Sequence, residues 1–191
     1  QRWEGYTLAD RIYSSIFQSV TPRTAGFNTV PLDQLSTQSQ LATIILMIIG
    51  GSPGSTAGGI KTTTFALAVL CILSVFQNQE DIHCYKRRVP YDILRNAIAI
   101  LVLYLFLFLS ASFLITRADG VSMMESSFEA ASAIATVGLS LGITEDLGIF
   151  SKIILILLMY LGRVGGLTML YALTNHRKFP VHLPQERITV G

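Results

Sequence analysis

Apolar and polar positions divide the chain into five hydrophobic stretches joined by polar links. Residues 8–20 form a short amphipathic pattern that stops ahead of Pro22, because the residue before a proline is disfavoured in the α conformation. About 13 residues cannot cross a bilayer whose core is roughly 30 Å thick. Residues 40–76 are strongly apolar and too long for one span: as a single helix they would run about 55 Å. Their middle, residues 50–62, holds glycines and Pro53 at a density no helix tolerates. The expectation is two half-helices joined by a loop at membrane depth, a situation tolerable only inside protein or beside a watery cavity. Residues 93–116 are the cleanest span, without a charge from residue 96 onward. Residues 122–135 give a second short helix with Glu125 and Glu129 on its polar side, and residues 152–174 a last span interrupted by Gly162-Arg163 and Gly165-Gly166.

Between the short helices and the long ones lie two similar loops, Thr24-Ala25-Gly26-Phe27-Asn28 and Thr136-Val137-Gly138-Leu139-Ser140. Thr24 and Thr136, Gly26 and Gly138, Gly50 and Gly162, and the pairs Ser14-Ser15 and Ser126-Ser127 all stand 112 positions apart. One offset kept from a short helix to the middle of a long one reads as a duplicated unit of short helix, Thr-x-Gly loop and long apolar helix. Cation channels build re-entrant pore loops in this order.

Composition agrees with a membrane setting: 51% of the 191 residues are hydrophobic and 14% charged, against about a quarter charged in an ordinary soluble domain. The mean hydropathy is +0.53 and the pI near 8.6. The net charge of +2 comes from two basic clusters, residues 86–88 and the tail around Arg177-Lys178, and carries no nucleic-acid signal. Those clusters belong on the cytoplasmic side. Both Thr-x-Gly loops then open outward, beside links carrying Asp33, Asp119, Glu145 and Asp146. Trp3 and Tyr6 suit a membrane interface. Cys71 and Cys84 are expected as free thiols, and His83-Cys84 offers too few ligands for a metal. With no cleavable signal pattern and Gln1 at its start, the chain is expected to be the C-terminal part of a longer polypeptide.

The chemistry expected of the loops is ion dehydration. Main-chain carbonyls replace a cation's lost water, and glycine permits the backbone angles that aim them at one axis. The candidate potassium ligands are therefore Thr24, Ala25, Gly26 and Phe27 with Thr136, Val137, Gly138 and Leu139. A short helix ending at the loop adds the negative end of its dipole. Gly51, Ser52, Pro53, Gly54, Ser55, Thr56, Ala57, Gly58 and Gly59 are the candidate gate, a constriction beneath the filter. Gly54 to Thr62 is one residue away from a nucleotide-binding P-loop, but follows an apolar membrane segment rather than a strand. Arg163 lies near the middle of the last span, where a cation costs on the order of 2.5–3.5 kcal/mol on insertion scales. With no acidic residue expected in the apolar parts, loop carbonyls are its expected partners, snorkelling to the interface being the alternative. Lys61 is expected nearer to water than Arg163. No nucleophile–base pair suits catalysis, so no enzyme is expected.

Thr21-Pro22-Arg23 with the first loop, residues 50–62, the second loop and Gly162-Arg163-Val164-Gly165 together resemble the Trk/Ktr/HKT superfamily of potassium transporters. Within it the chain looks most like the Ktr membrane subunit (KtrB-like), the ending at residues 183–191 included. The resemblance implies an all-α integral membrane protein of four helix–pore-loop–helix repeats around a pseudo-fourfold pore, with a broken helix at mid-membrane. Residues 1–92 would then be the third repeat without its first helix: pore helix 8–21, filter 24–28, broken helix 40–76 and cytoplasmic loop 77–92. Residues 93–174 would be the fourth: helix 93–116, pore helix 122–135, filter 136–140 and helix 152–174, followed by a cytoplasmic tail, 175–191. It further implies potassium uptake across the plasma membrane, a homodimer, the remaining N-terminal pore repeats, and a cytoplasmic ring of nucleotide-binding regulatory subunits (KtrA-like). Sodium is the second candidate ion, as a coupling or activating ion, and no organic cofactor is expected. Both loops depart from the Thr-Val-Gly-Tyr-Gly of potassium channels, so weaker discrimination against sodium is expected. The alternatives are a sodium-permeable or sodium-coupled relative, a non-transporting membrane scaffold, and a nucleotide hydrolase.

Overall fold

A computed structural model describes residues 7–55, 57–79, 81–84, 87–166 and 168. Thr56, Lys86, the tail 175–191 and most of residues 167–174 lie outside the described residues. Six α-helices account for most of the rest. The two short helices, α1 (Leu8–Val20) and α5 (Met123–Ile134), each start at a capping box. Thr7 Oγ1 accepts from the Asp10 N–H at 3.3 Å while Asp10 Oδ2 accepts from the Thr7 N–H at 3.1 Å. Ser122 and Glu125 repeat the exchange at 3.2 and 3.0 Å. Each box satisfies two main-chain donors that a helix start otherwise leaves open.

Helix α2 (Thr37–Ile48) begins three residues earlier than expected because Ser36 caps it, accepting from the Ser39 N–H at 3.3 Å. The chain leaves helical geometry after Ile48 and regains it in α3 (Thr62–Phe76). Three main-chain bonds stitch the two ends together: Gly50 N–H to Ile60 O at 2.8 Å, Ile60 N–H to Ile48 O at 3.1 Å, and Thr62 N–H to Gly51 O at 3.2 Å. The chain between is therefore a closed loop, with Ile60 buried at its base.

Helix α4 (Tyr91–Asp119) is longer than the expected 93–116. Residues 117–119, beyond the expected span, continue the helix until Gly120 (φ 68) ends it. Asp119 stays ordered because its carboxylate accepts from the Gly148 N–H at 3.1 Å, at the start of α6 (Ile149–Val164). Helix α6 also begins earlier than the expected 152; of its two expected interruptions, Gly162-Arg163 stays helical and Gly165 (φ 88) ends the helix. The expectation of an all-helical chain needs one correction. Strands β1 (His83–Cys84) and β2 (Arg87–Arg88) pair antiparallel in the basic link, braced by Arg88 Nε to Asp81 Oδ1 at 2.8 Å.

Helix α5 is the hub, touching α2, α4 and α6. Residues 126 and 128–134 are buried there. The run Ala130-Ala131-Ser132-Ala133 presents little side chain, which lets neighbouring backbones come close. Phe128, fully buried, fills the remaining volume. Helix α1, the other short helix, buries none of its own residues, leaving Leu8, Ile12, Ile16 and Val20 exposed. Among the described residues, α4 is the one helix long and apolar enough to cross a membrane by length and composition. Its most apolar window is only 22% buried, with Val102, Phe106, Leu109 and Phe113 facing out. A core helix of a water-soluble protein would bury most of such a window.

Phe128→Ala is expected to lower the stability of the detergent-solubilised full-length protein by about 3–5 kcal/mol, read as a drop in its thermal midpoint. A loss below about 1 kcal/mol would show that α5 is not the packing centre.

Candidate functional site

At the end of each short helix the main chain turns in the same way. Thr24 (φ 67) and Gly26 (φ 74) adopt left-handed conformation on either side of Ala25, and Thr136 (φ 54) and Gly138 (φ 87) do so around Val137. For a β-branched residue this is a genuine outlier, costing on the order of 1–3 kcal/mol. Of the three non-glycine residues with positive φ among those described, two are these threonines. The third, Asn78 behind α3, is of a type that tolerates the conformation. Strain repeated at equivalent positions must be held by its surroundings. The Ala25 and Gly26 N–H groups donate to Thr21 O at 3.1 and 3.2 Å, and the Val137 N–H donates to Ser132 O at 2.9 Å. Thr21, 2% exposed, also donates its hydroxyl to Phe27 O at 2.5 Å.

The two bends lie side by side. A β-carbon on Gly26 would sit 2.2 Å from the Val137 carbonyl oxygen, so this approach requires glycine. Beneath them runs the loop between α2 and α3. The Gly58 N–H donates to Thr136 Oγ1 at 2.9 Å. On the other side, Thr24 shares a cavity of about 390 Å³ with Gly50, Gly51, Ser52, Ser55 and Ala57. Of the expected gate residues, Gly58 thus touches the second bend directly, while Gly51, Ser52, Ser55 and Ala57 face the first across open space. Pro53 and Gly54 form the exposed turn of the loop, and Gly59 packs near Ala135.

Two cations border this loop, and the place of one differs from the expectation. Lys61, expected nearer to water, is half-buried and turned back: its ammonium donates to Ser55 O at 3.1 Å and to Ala57 O. A cation at the first turn of α3 is unfavourable to the helix dipole, and reaching the loop carbonyls offsets that. Arg163 has an exposed side chain and lines one cavity of about 390 Å³ with Ser55, Ala57, Gly59 and Lys61. A second correction concerns Glu129, expected on the polar side of its helix and not among the site residues. It is 5% exposed and its carboxylate takes three hydrogen bonds from residues 140–144 behind the second bend. Glu125, one turn earlier, is the residue on the polar side, occupied in the capping box. The overlooked signal was the polar pair Ser140 and Thr144 directly after the loop. Among the described residues no cluster of His, Cys, Asp or Glu could hold a metal, and Cys71 and Cys84 are free.

A mostly helical chain with uncovered apolar faces fits the class of integral-membrane folds. The chain belongs to the family described as TrkH, cation transport protein, whose model matches residues 4–187. It is 35% identical over 189 residues to Ktr system potassium uptake protein D of Bacillus subtilis (strain 168), covering 98% of this chain and 42% of that one. It is 35% identical over 185 residues to Ktr system potassium uptake protein B of Vibrio alginolyticus, covering 97% and 41%. The potassium/sodium uptake protein NtpJ of Enterococcus hirae is 34% identical over 194 residues, covering 97% and 43%. The chain thus spans about two fifths of the length of these relatives. Among solved structures, the potassium transporter TrkH from Vibrio parahaemolyticus shares the fold with a TM-score of 0.76 at 22% identity, over 90% of this chain and 39% of that one.

Removing the Lys61 ammonium should loosen the loop, since charge-assisted bonds of this kind contribute about 1.5–3 kcal/mol. In Lys61→Met, hydrogen–deuterium exchange of the full-length protein at residues 52–59 is expected to speed up at least about tenfold. Unchanged exchange would show that Lys61 does not hold the loop.

Proposed function

We propose that this chain forms two pore units of a potassium-uptake transporter and that its two bends are selectivity-filter strands. The observation that carries this reading is the paired left-handed geometry at Thr24/Gly26 and Thr136/Gly138, with Gly26 against the Val137 carbonyl. Left-handed residues at every second position let consecutive carbonyls face one side, which is what a dehydrated cation requires. The proposed ligands are the main-chain oxygens of residues 24–27 and 136–139. Phe27 is the weakest of them, because its oxygen already accepts the Thr21 hydroxyl. The relatives named for potassium uptake support the choice of ion. Two units do not encircle an ion, so further pore repeats, and by resemblance a dimer with a cytoplasmic nucleotide-binding ring, complete the working transporter. In this reading the protein lies in the plasma membrane with its filters facing outward, and it makes and breaks no covalent bond.

The loop between α2 and α3 is the proposed gate. It touches Thr136, whose hydroxyl the Gly58 N–H holds, and faces Thr24 across a cavity. A donor in that position presents positive charge where a cation would leave the filter. Lys61 braces the loop from within, and Arg163 adds a second positive charge beside it. Ions pass when the loop moves away, so the cations act as an electrostatic barrier as well as a brace.

Two observations favour a second ion. The relative named for potassium and sodium uptake is 34% identical, and each filter keeps one glycine rather than two. A sodium-permeable transporter is therefore the alternative, and the same assay separates them. In cells lacking their own potassium uptake, the intact transporter is expected to take up potassium. Gly26→Ser should then reduce the preference for potassium over sodium about tenfold or more without lowering the amount of protein in the membrane. Unaltered preference would remove Gly26 from the filter, and preferential sodium uptake by the wild type would establish the alternative.

Gly58→Ala tests the gate separately. Its β-carbon would lie 2.6 Å from Thr136 Oγ1 and force the loop off the filter at a position with no left-handed strain. Potassium flux is expected to rise several-fold, since losing the bond shifts the closed state by about 1 kcal/mol. Flux equal to wild type would contradict the gating role.

A further inference from the structure

The two bends are held by different locks, and this carries an inference about which residue sets ion preference. Behind the second bend, Glu129 Oε1 accepts the Ser140 hydroxyl at 2.7 Å and the Leu141 N–H at 3.0 Å. Its Oε2 accepts the Thr144 hydroxyl at 2.9 Å, and Ser140 Oγ in turn accepts the Gly142 N–H at 2.9 Å. One buried carboxylate on α5 therefore ties down the whole segment by which the chain leaves the bend. In the first unit the equivalent positions, at the 112-residue offset, are Phe17, Asn28 and Leu32, none of which can reproduce the arrangement. There the lock is the Thr21 hydroxyl on Phe27 O, and its counterpart in the second unit, Ala133, has no hydroxyl.

The two locks act on the main chain in opposite ways. Thr21 takes up a carbonyl of the bend itself, whereas Glu129 takes hydrogen-bond donors only and leaves every carbonyl of residues 136–139 unclaimed by its side chain. A buried carboxylate is costly unless its oxygens are satisfied, and here three donors satisfy them. The arrangement is consequently stiff, and any donor removed leaves a charge short of partners. We infer that Glu129 is the positioning residue of the second filter strand, fixing the width at which residues 136–139 present their carbonyls and hence the potassium-over-sodium preference. It acts through Ser140, Leu141 and Thr144 and does not itself touch the ion. The inference rests on the transport reading above.

The test measures initial uptake of potassium and of sodium by the full-length transporter in cells lacking their own potassium uptake, expressed as a ratio. A ratio does not change with the number of folded molecules, so a merely structural role would leave it unmoved. In Glu129→Gln the amide nitrogen can no longer accept from a hydroxyl, and the ratio is expected to fall about tenfold. The double variant Ser140→Ala/Thr144→Val keeps the carboxylate and removes two of its donors, and is expected to shift the ratio in the same direction by at least about threefold. A Glu129→Gln ratio within twofold of wild type would overturn the inference. So would a shift in Glu129→Gln without one in the double variant, since the carboxylate would then be acting as a bare charge. If Glu129→Gln fails to reach the membrane, the double variant decides alone. Wild-type protein that moves no potassium would overturn the transport reading and this inference together, whereas normal wild-type uptake with unmoved ratios removes this inference only.

Discussion

Two threonines held at positive φ are the constraint on which the rest of the structure depends. Each bend stores on the order of 1–3 kcal/mol at its threonine, and nothing in the bend itself repays that. Repayment comes from the short helix before it, through the bonds to Thr21 O and Ser132 O, and from the buried side chains behind it. Packing around α5 therefore has a purpose beyond stability. Helices α2, α4 and α6 close on α5, and its small residues allow them to, so the second bend emerges from a rigid base. Among the described residues helix α1 has no such enclosure, and the first bend relies on the Thr21 hydroxyl and on its contact with Val137.

In the proposed reading the loop between α2 and α3 is the movable part. Its ends are fixed by main-chain bonds around Ile49 and Ile60, while its turn at Pro53-Gly54 is exposed. The Gly58 N–H on Thr136 ties the loop to the second bend, Gly59 packs near Ala135, and one ammonium holds the loop's own carbonyls, with open cavities on either side. Polar contacts of this kind contribute about 0.5–3 kcal/mol each. That is enough to hold a resting position and little enough to be overcome. In the proposed reading the strained bends supply rigidity and the loop supplies motion.

Much of this was legible in the residue pattern. The common offset of 112 positions located both bends, and the glycine and proline density of residues 50–62 marked the non-helical segment, because each is a local property of the chain. Helix ends were less legible. Residues 117–119 are helical because Asp119 reaches the start of α6, a contact between segments distant in sequence. Glu129 was misjudged for the same reason. Spacing put it with Glu125 on one helix face, but its partners follow the bend and become visible only once the chain has folded back. Lys61 also looked solvent-facing until the loop curled round to its ammonium. Local periodicity reads elements well and says little about which polar group meets which.

The most direct measurement is the position of a bound cation. A crystal of the full-length transporter grown with thallium in place of potassium, recorded at a wavelength where thallium scatters anomalously, locates the ion independently of the protein map. The expected result is anomalous density on one axis flanked by main-chain oxygens of residues 24–27 and 136–139, with Thr24 and Thr136 still in left-handed conformation. Density elsewhere in the protein, or bends that face lipid or cytosol with no ion between them, would contradict it.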